Sequence, residues 1–147
     1  MLTTNRTVKE SLLAQYEHLP IYKKAYDLLL YFEKIVHNFS RYHKYTHGTE
    51  LREQMREVLR LIRSANDAED KAPVLLKNRE RLEDLKLTIR VCKDVQAFAN
   101  FNSFEHSINE VVGLCKQNEG WLKSVLPKGA RPESPPRASV ERERAHG

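Results

Sequence analysis

Four segments of this chain place apolar side chains at intervals of three and four residues, the spacing of one face of an α-helix. The first begins at Pro20 or Ile21 and ends near Ser40. Its predicted core positions are Ala25, Leu28, Leu29, Phe32, Ile35, Val36 and Phe39. Such a helix must bury its apolar face against other elements, so the pattern predicts an all-α fold.

The other three segments follow with short polar connections between them. The second runs to about Ala65, the third starts at Pro73 and reaches roughly Asn100, and Asn102 opens the fourth with Glu105 at its N3 position. Phe104, Ile108, Val111, Val112, Cys115 and Leu122 form the predicted core face of the fourth helix. Residues 19–126 are therefore expected to fold as an antiparallel, up-down four-helix bundle.

Both ends of the chain differ in composition from this central region. Thr7 and Glu10 match a capping box, so residues 1–18 form an extension that includes a predicted short helix. Residues 127–147 contain Pro, Arg and Glu with almost no large apolar side chain. A segment that buries so little surface cannot offset the entropy of ordering, so we expect a disordered tail.

Length and charge restrict the class of protein further. The chain has 147 residues, the size of one domain, and a net charge of +5, which favours anionic partners. It contains no apolar run long enough to cross a membrane and no signal-peptide pattern, so we expect a soluble, cytoplasmic protein without a membrane partner. Cys92 and Cys115 each fall on an apolar helical face and are expected to be reduced core cysteines.

A row of arginines lies beside the apolar stripe of the second helix. Arg52, Arg56, Arg60 and Arg63 recur at helical spacing. Guanidinium groups hold phosphate through two hydrogen bonds at once, so this row suits a nucleic-acid backbone. The alternative is a solvated face with i,i+3 pairs from Glu53 to Arg56 and from Glu57 to Arg60, which stabilise a helix only weakly.

The third helix carries a second basic row and two apolar stripes. Arg79, Lys86, Arg90 and Lys93 form the row. One stripe holds Leu82, Leu85, Ile89, Cys92 and Ala99, and the other holds Leu87, Val91, Val95 and Phe98. One bundle core needs only one stripe, so the third helix is predicted to be central or to lie at a subunit interface, and Leu87, Val91 and Phe98 are the interface candidates.

Catalytic patterns are poor by comparison. The chain has no phosphate-binding loop, dinucleotide-binding glycine motif, nucleophile elbow or zinc-protease motif. His43 and His47 are four residues apart, with His37 nearby, but no cysteine or suitably spaced carboxylate completes a zinc site. They are interpreted as polar loop histidines, and we expect neither enzymatic activity nor a cofactor or metal.

Three runs of residues carry a family resemblance. They are Leu19-Pro-Ile-Tyr-Lys-Lys-Ala-Tyr-Asp-Leu-Leu, Asn38-Phe-Ser-Arg-Tyr-His-Lys-Tyr-Thr-His-Gly-Thr-Glu-Leu and Val58-Leu-Arg-Leu-Ile-Arg-Ser-Ala-Asn. From about Leu19 to Lys123 the chain resembles the accessory variability determinants (Avd) of diversity-generating retroelements, which are related to proteins encoded by intervening sequences of bacterial 23S ribosomal RNA. Ser40 stands where relatives often have proline.

The resemblance implies a ring-forming, pentameric homo-oligomer with a basic outer surface. Such proteins bind the reverse transcriptase of their element and its template RNA, and they support mutagenic copying without performing chemistry. The two basic rows would then contact phosphates or the polymerase. The alternative function is a protein–protein adaptor, or an intervening-sequence protein without a reverse-transcriptase partner.

Overall fold

A computed structural model describes residues 18–127, and the predictions for the short N-terminal helix and for the C-terminal tail lie outside this range. The described residues form four long helices and no strand: α1 (Pro20–His37), α2 (Thr49–Asp67), α3 (Ala72–Asp94) and α4 (Phe101–Val125). A helical turn, Arg41–His43, and a π-helix, Lys44–Gly48, lead directly into α2. The all-helical prediction is therefore confirmed. No helix in residues 18–127 is long and apolar enough to span a membrane.

The core lies between the four helices. α1 packs against α2 and α4, and α3 packs against the same two helices. The buried side chains include most of the predicted stripe of α1, together with Leu51, Met55, Val58 and Ile62 of α2 and Leu82, Leu85 and Ile89 of α3. This arrangement matters for the site, because the α1–α2 groove and the α3–α4 groove lie on opposite sides of the bundle.

The third helix ends earlier than the apolar pattern predicts. It stops at Asp94 rather than near Asn100, because Gln96 adopts a left-handed backbone conformation with φ of 62°. The Gln96 amide donates to the Lys93 carbonyl at 3.0 Å and the Ala97 amide donates to the Cys92 carbonyl at 2.8 Å. These two bonds form a Schellman motif, which normally carries glycine at the left-handed position. The glutamine at that position hid the helix end from sequence analysis.

This left-handed glutamine gives a first prediction. The left-handed conformation costs a residue with a Cβ about 1–2 kcal/mol relative to glycine. Gln96→Gly is therefore expected to raise the free energy of unfolding by about 1 kcal/mol. Urea denaturation monitored by circular dichroism measures the change. Gln96→Ala serves as the control, since alanine retains the steric conflict, and equal stability of the two variants would contradict the explanation.

The fourth helix differs from its prediction at both its start and its buried face. Its N-cap is Asn100 rather than Asn102, because the Asn100 side chain accepts a hydrogen bond from the Ser103 amide at 2.9 Å. Ser107, Val111, Leu114, Asn118 and Leu122 are the buried positions of α4. Val112 is 37% exposed, so its assignment to the core face was wrong, and Phe104, Ile108 and Cys115 are half-buried.

Two polar residues take core positions in α4 because hydrogen bonds satisfy them. The Ser107 hydroxyl donates to the Ser103 carbonyl at 2.7 Å. The Asn118 amide donates to the Leu75 carbonyl at 3.0 Å, and its oxygen accepts from the Asn78 amide at 3.0 Å. Both asparagines are fully buried. A paired polar group is tolerated in a core, and this pair links α3 to α4 at one register.

The connection between α2 and α3 is closed by a lysine. The Lys71 ammonium donates to the carbonyls of Ala65, Asn66 and Ala68 at 2.8–2.9 Å. An ammonium has three N–H donors, and here each of them binds one carbonyl at or just after the C-terminal end of α2. Carbonyls at a helix end have no partner within the helix, so the lysine supplies one. This contact orders the turn between the two helices that carry the basic rows.

Candidate nucleic-acid interface

The arginine row of α2 lies along the α1–α2 groove. Arg56 Nη2 is 3.0 Å from Glu33 Oε1 of α1, and Arg52 Nη1 is 3.5 Å from Glu33 Oε2. Arg52 also donates through Nε to the Gly48 carbonyl at 3.4 Å. Two guanidinium groups therefore share one carboxylate, which leaves an excess of positive charge at this point of the groove.

Of the other two arginines of the row, only Arg63 adds to that excess. Arg60 Nε is 3.1 Å from Glu57 Oε2, as the i,i+3 pattern predicts. The pair predicted between Glu53 and Arg56 does not form, because Arg56 reaches across to α1 instead. Arg63 is exposed and makes no ion pair within residues 18–127. Within residues 18–127, the four guanidinium groups of the row thus form ion pairs with two carboxylates, Glu33 and Glu57.

The ion pairs on this side are weak enough to open for a phosphate. The side chains of Arg56 and Arg60 are 57% and 56% exposed. Exposed ion pairs contribute at most about 1 kcal/mol, because solvent screens both charges. A nucleic-acid backbone offers closely spaced phosphates in exchange, so these arginines can change partner at little energetic cost.

The basic row of α3 is arranged differently, on the opposite side of the bundle. Arg79 makes two hydrogen bonds to Glu119 of α4, at 2.6 Å and 2.8 Å. The side chain of Arg79 is only 18% exposed, and its hydrogen bond to Glu119 raises the pKa of the guanidinium although desolvation opposes the shift. This fork geometry ties α3 to α4, which favours a structural role for Arg79.

The remaining members of the α3 row are also engaged. Lys86 Nζ is 2.7 Å from Glu83 Oε1, and Arg90 Nε is 3.2 Å from Asp94 Oδ2. Lys93 Nζ lies 4.9 Å from the centre of the Phe104 ring, a cation–π contact. Each of the first three cations of this row has its own carboxylate, so the α3–α4 side carries less uncompensated charge than the α1–α2 side.

The three candidates for a subunit interface separate in the structure. Leu87 is 65% exposed on the outer face of α3, and Val91, one turn later, is half-buried. Phe98 lies beyond the end of α3 and packs inside the chain, with its ring centre 5.8 Å from Phe39 and 6.0 Å from Phe104. The second apolar stripe is thus shorter than the sequence indicates.

Both cysteines are free thiols in environments that suppress reactivity. Burial raises the pKa of Cys92 to about 12, and burial also raises the pKa of Cys115. Only the thiolate reacts with alkylating reagents, so at about pH 8 iodoacetamide is expected to label both thiols far more slowly in the folded protein than in urea. Mass spectrometry of labelled peptides measures this difference. Labelling of the folded chain at the rate of the unfolded chain would contradict it.

The histidines do not lie in a loop, in contrast to their interpretation from sequence. His43 and His47 belong to the helical segment before α2, and their ring centres are 5.7 Å apart. Within the described range, no group of three or more histidine, cysteine or acidic side chains is placed to hold a metal ion.

Sequence analysis missed two features of this region. Glu33 is the cross-helix partner of two arginines, and helical periodicity within α2 cannot reveal a partner on α1. Tyr42 and Tyr45 are the most exposed large apolar residues of the described chain, at 71% and 68%. For the two tyrosines the sequence did contain a signal. They lie between Glu33 and Glu50, a segment without any acidic residue, so an anionic ligand would meet no negative charge from it.

Comparisons with known proteins give no independent identification. Neither the family models, nor the curated proteins, nor the solved structures include a match to this chain. The Avd resemblance therefore stays a prediction, and the function is argued from the charge and packing of the bundle.

Proposed function

We propose that this protein is a non-catalytic accessory subunit of a diversity-generating retroelement, which binds template RNA and the reverse transcriptase of the element through a basic surface. The observation that carries the proposal is the arginine row of α2, whose four guanidinium groups form ion pairs with only two carboxylates among the described residues, Glu33 and Glu57. We assign RNA contact to Arg52, Arg56, Arg60 and Arg63 in preference to the α3 row, whose charges are largely compensated.

The neighbouring surface of α1 supports contact with nucleic acid. Tyr26 is 45% exposed and lies seven residues before Glu33, so both side chains lie on the same side of α1. The rings of Tyr26 and Tyr22 stack with centres 6.3 Å apart. Aromatic side chains beside arginines are a common combination in RNA-binding proteins, because they contact bases and sugars while the arginines contact phosphates.

Assembly would extend this surface. The short connections favour an antiparallel, up-down arrangement of the helices, and the proposed oligomer is a ring-like homopentamer. Leu76 and Leu87 lie eleven residues apart on the outer side of α3 and are 40% and 65% exposed. Leu87 and Val91, one turn apart, form an apolar patch for a neighbouring subunit to bury, and Glu80 and Glu83 separate this patch from Leu76 on the same face. Rotation about a ring axis would repeat the arginine row in every subunit.

A protein–protein adaptor is the second candidate function, and it includes an intervening-sequence protein without a polymerase partner. The apolar patch of Leu87 and Val91 favours it, because an exposed apolar patch can equally bind another protein. In that case the arginines would supply solubility and steering only, and RNA affinity would be absent or would not depend on the α1–α2 side.

Size-exclusion chromatography with light scattering tests the proposal. The protein is run alone and with a structured RNA, at low and at high salt. A stable oligomer that binds RNA at low salt and releases it at high salt supports an RNA-binding accessory role, since phosphate contacts weaken as counterions compete. A monomer that ignores RNA under both conditions would favour the adaptor function.

A further inference from the structure

The helical segment between α1 and α2 presents two tyrosines to solvent beside two cations. Tyr42 and Tyr45 are 71% and 68% exposed, and Arg41 and Lys44 are their neighbours in the chain. We name these four residues the tyrosine platform. Exposed tyrosine rings place apolar area in water beside a polar hydroxyl, and tyrosine is enriched at binding interfaces for this reason.

The platform is built on ordered helical backbone. The Thr46 hydroxyl donates to the Tyr42 carbonyl at 2.8 Å, and the Tyr42 ring meets the His43 ring edge-on with centres 5.4 Å apart. Lys44–Gly48 is a π-helix, a rare form that frequently occurs at functional sites. Its last residue, Gly48, is buried against Val36 of α1. The exposed rings of Tyr42 and Tyr45 are therefore carried by an ordered helical segment that packs against α1.

The two cations of the platform make no ion pair among the described residues, in contrast to most cations of the two basic rows. Arg41 and Lys44 make no ion pair within residues 18–127, whereas Arg52, Arg56, Arg60, Arg79, Lys86 and Arg90 all do. No carboxylate lies between Glu33 and Glu50 in the chain to neutralise them. An anionic ligand thus meets no acidic side chain from this segment and breaks no ion pair of these two cations.

We infer that the tyrosine platform binds unpaired nucleotides of an RNA, with bases stacked on Tyr42 and Tyr45 and phosphates held by Arg41 and Lys44. This inference rests on the RNA binding proposed above and adds a site for single strands. Stacking on an aromatic side chain is worth about 1–3 kcal/mol per base and tolerates any sequence, and it requires bases that are not paired in a duplex.

The platform is continuous with the arginine row. Arg52 donates to the carbonyl of Gly48, the last residue of the π-helix, so the first arginine of α2 lies next to the helical segment that carries the tyrosines. A single strand that leaves the platform can follow the α1–α2 groove. The combination fits an RNA in which unpaired nucleotides adjoin a structured region, with stacking at one end and phosphate contacts along α2.

The test compares two RNAs and two pairs of substitutions. Fluorescence anisotropy measures the affinity of the full chain for a short oligouridine and for a blunt RNA duplex of the same length. Tyr42→Ala with Tyr45→Ala removes both rings, and Tyr42→Phe with Tyr45→Phe keeps both rings but removes the hydroxyls. Both side chains are exposed, so circular dichroism is expected to show the same helix content in every variant.

The inference predicts that the alanine pair lowers oligouridine affinity at least about tenfold and leaves duplex affinity unchanged, since one lost stacking contact corresponds to about 1–3 kcal/mol. The phenylalanine pair should bind oligouridine like the parent chain. Unchanged oligouridine affinity in the alanine pair, or an equal loss for both RNAs, would overturn the inference while leaving the RNA-binding proposal intact. If the parent chain binds neither RNA, the proposed function itself fails and the platform is better explained as a protein contact.

Discussion

Reversing two charges of the α2 row, with Arg56→Glu and Arg60→Glu, is expected to lower RNA affinity at least about a hundredfold at low salt, because each substitution removes a phosphate contact and adds a repulsive charge. Arg56 and Arg60 are more than half exposed, so the bundle should stay folded. New repulsion from Glu33 and Glu57 is screened by solvent and should cost little stability. Anisotropy with a labelled structured RNA gives the affinity, and light scattering shows whether the variant keeps the molar mass of the parent protein.

A matched control is available on the opposite side of the bundle. Lys86→Glu with Arg90→Glu changes the net charge by the same amount. Like Arg56 and Arg60, these two cations form ion pairs, with Glu83 and Asp94, but they lie on the α3–α4 side. We expect a much smaller loss of RNA affinity, because only the general attraction of the protein for RNA is reduced. Equal losses in the two double variants would show that net charge, and not the α1–α2 side, determines binding.

Placing a methyl group at Gly48 is expected to destabilise the bundle by about 1–3 kcal/mol, the usual range for overpacking a core. A Cβ at this position would lie 2.5 Å from Val36 Cγ1 and 3.2 Å from the His43 carbonyl oxygen. Val36 is 2% exposed and branched at Cβ, so it cannot rotate away freely. Gly48→Ala must therefore shift the contact between α1 and the π-helix, and urea denaturation measures the loss.

Gly120 provides the control for this substitution. No atom outside its own helix lies within 4 Å of a Cβ built at Gly120, which is an exposed position within α4. Gly120→Ala should therefore raise stability by up to about 1 kcal/mol, since alanine favours the helix. In the Gly48→Ala background, Val36→Ala should be less harmful than it is alone, because it removes the clashing methyl group. Equal stability of Gly48→Ala and the parent chain would refute the close-packing explanation.

The fold could be predicted well where apolar periodicity coincided with ordinary helix ends. Pro20 marks the start of α1, and the arginine-bearing helix ends within two residues of the predicted Ala65. Prediction failed where a polar side chain occupies a position that normally takes another type of residue. Gln96 adopts a conformation typical of glycine, and Asn118 occupies the core because Asn78 and a backbone carbonyl satisfy it.

The candidate site could be predicted only in part. Helical geometry predicts that the four arginines of α2 share one face. In the structure they lie along one side of the bundle. Which carboxylates meet each cation depends on the register between helices, which the periodicity of a single helix does not contain. For that reason the sequence treats the rows of α2 and α3 as equivalent, whereas Glu33 serves two arginines and Glu119 serves Arg79 alone among the described contacts.

The salt dependence of RNA affinity tests the central claim most directly, when measured for the parent chain and for two neutralised variants. Each phosphate contact contributes about 0.7–0.9 to the slope of log affinity against log salt concentration. Arg56→Gln with Arg60→Gln is therefore expected to reduce that slope by about 1.5, and Lys86→Gln with Arg90→Gln is expected to leave it nearly unchanged. An unaltered slope in the α2 variant, or the same reduction in both variants, would contradict RNA binding by the α1–α2 side.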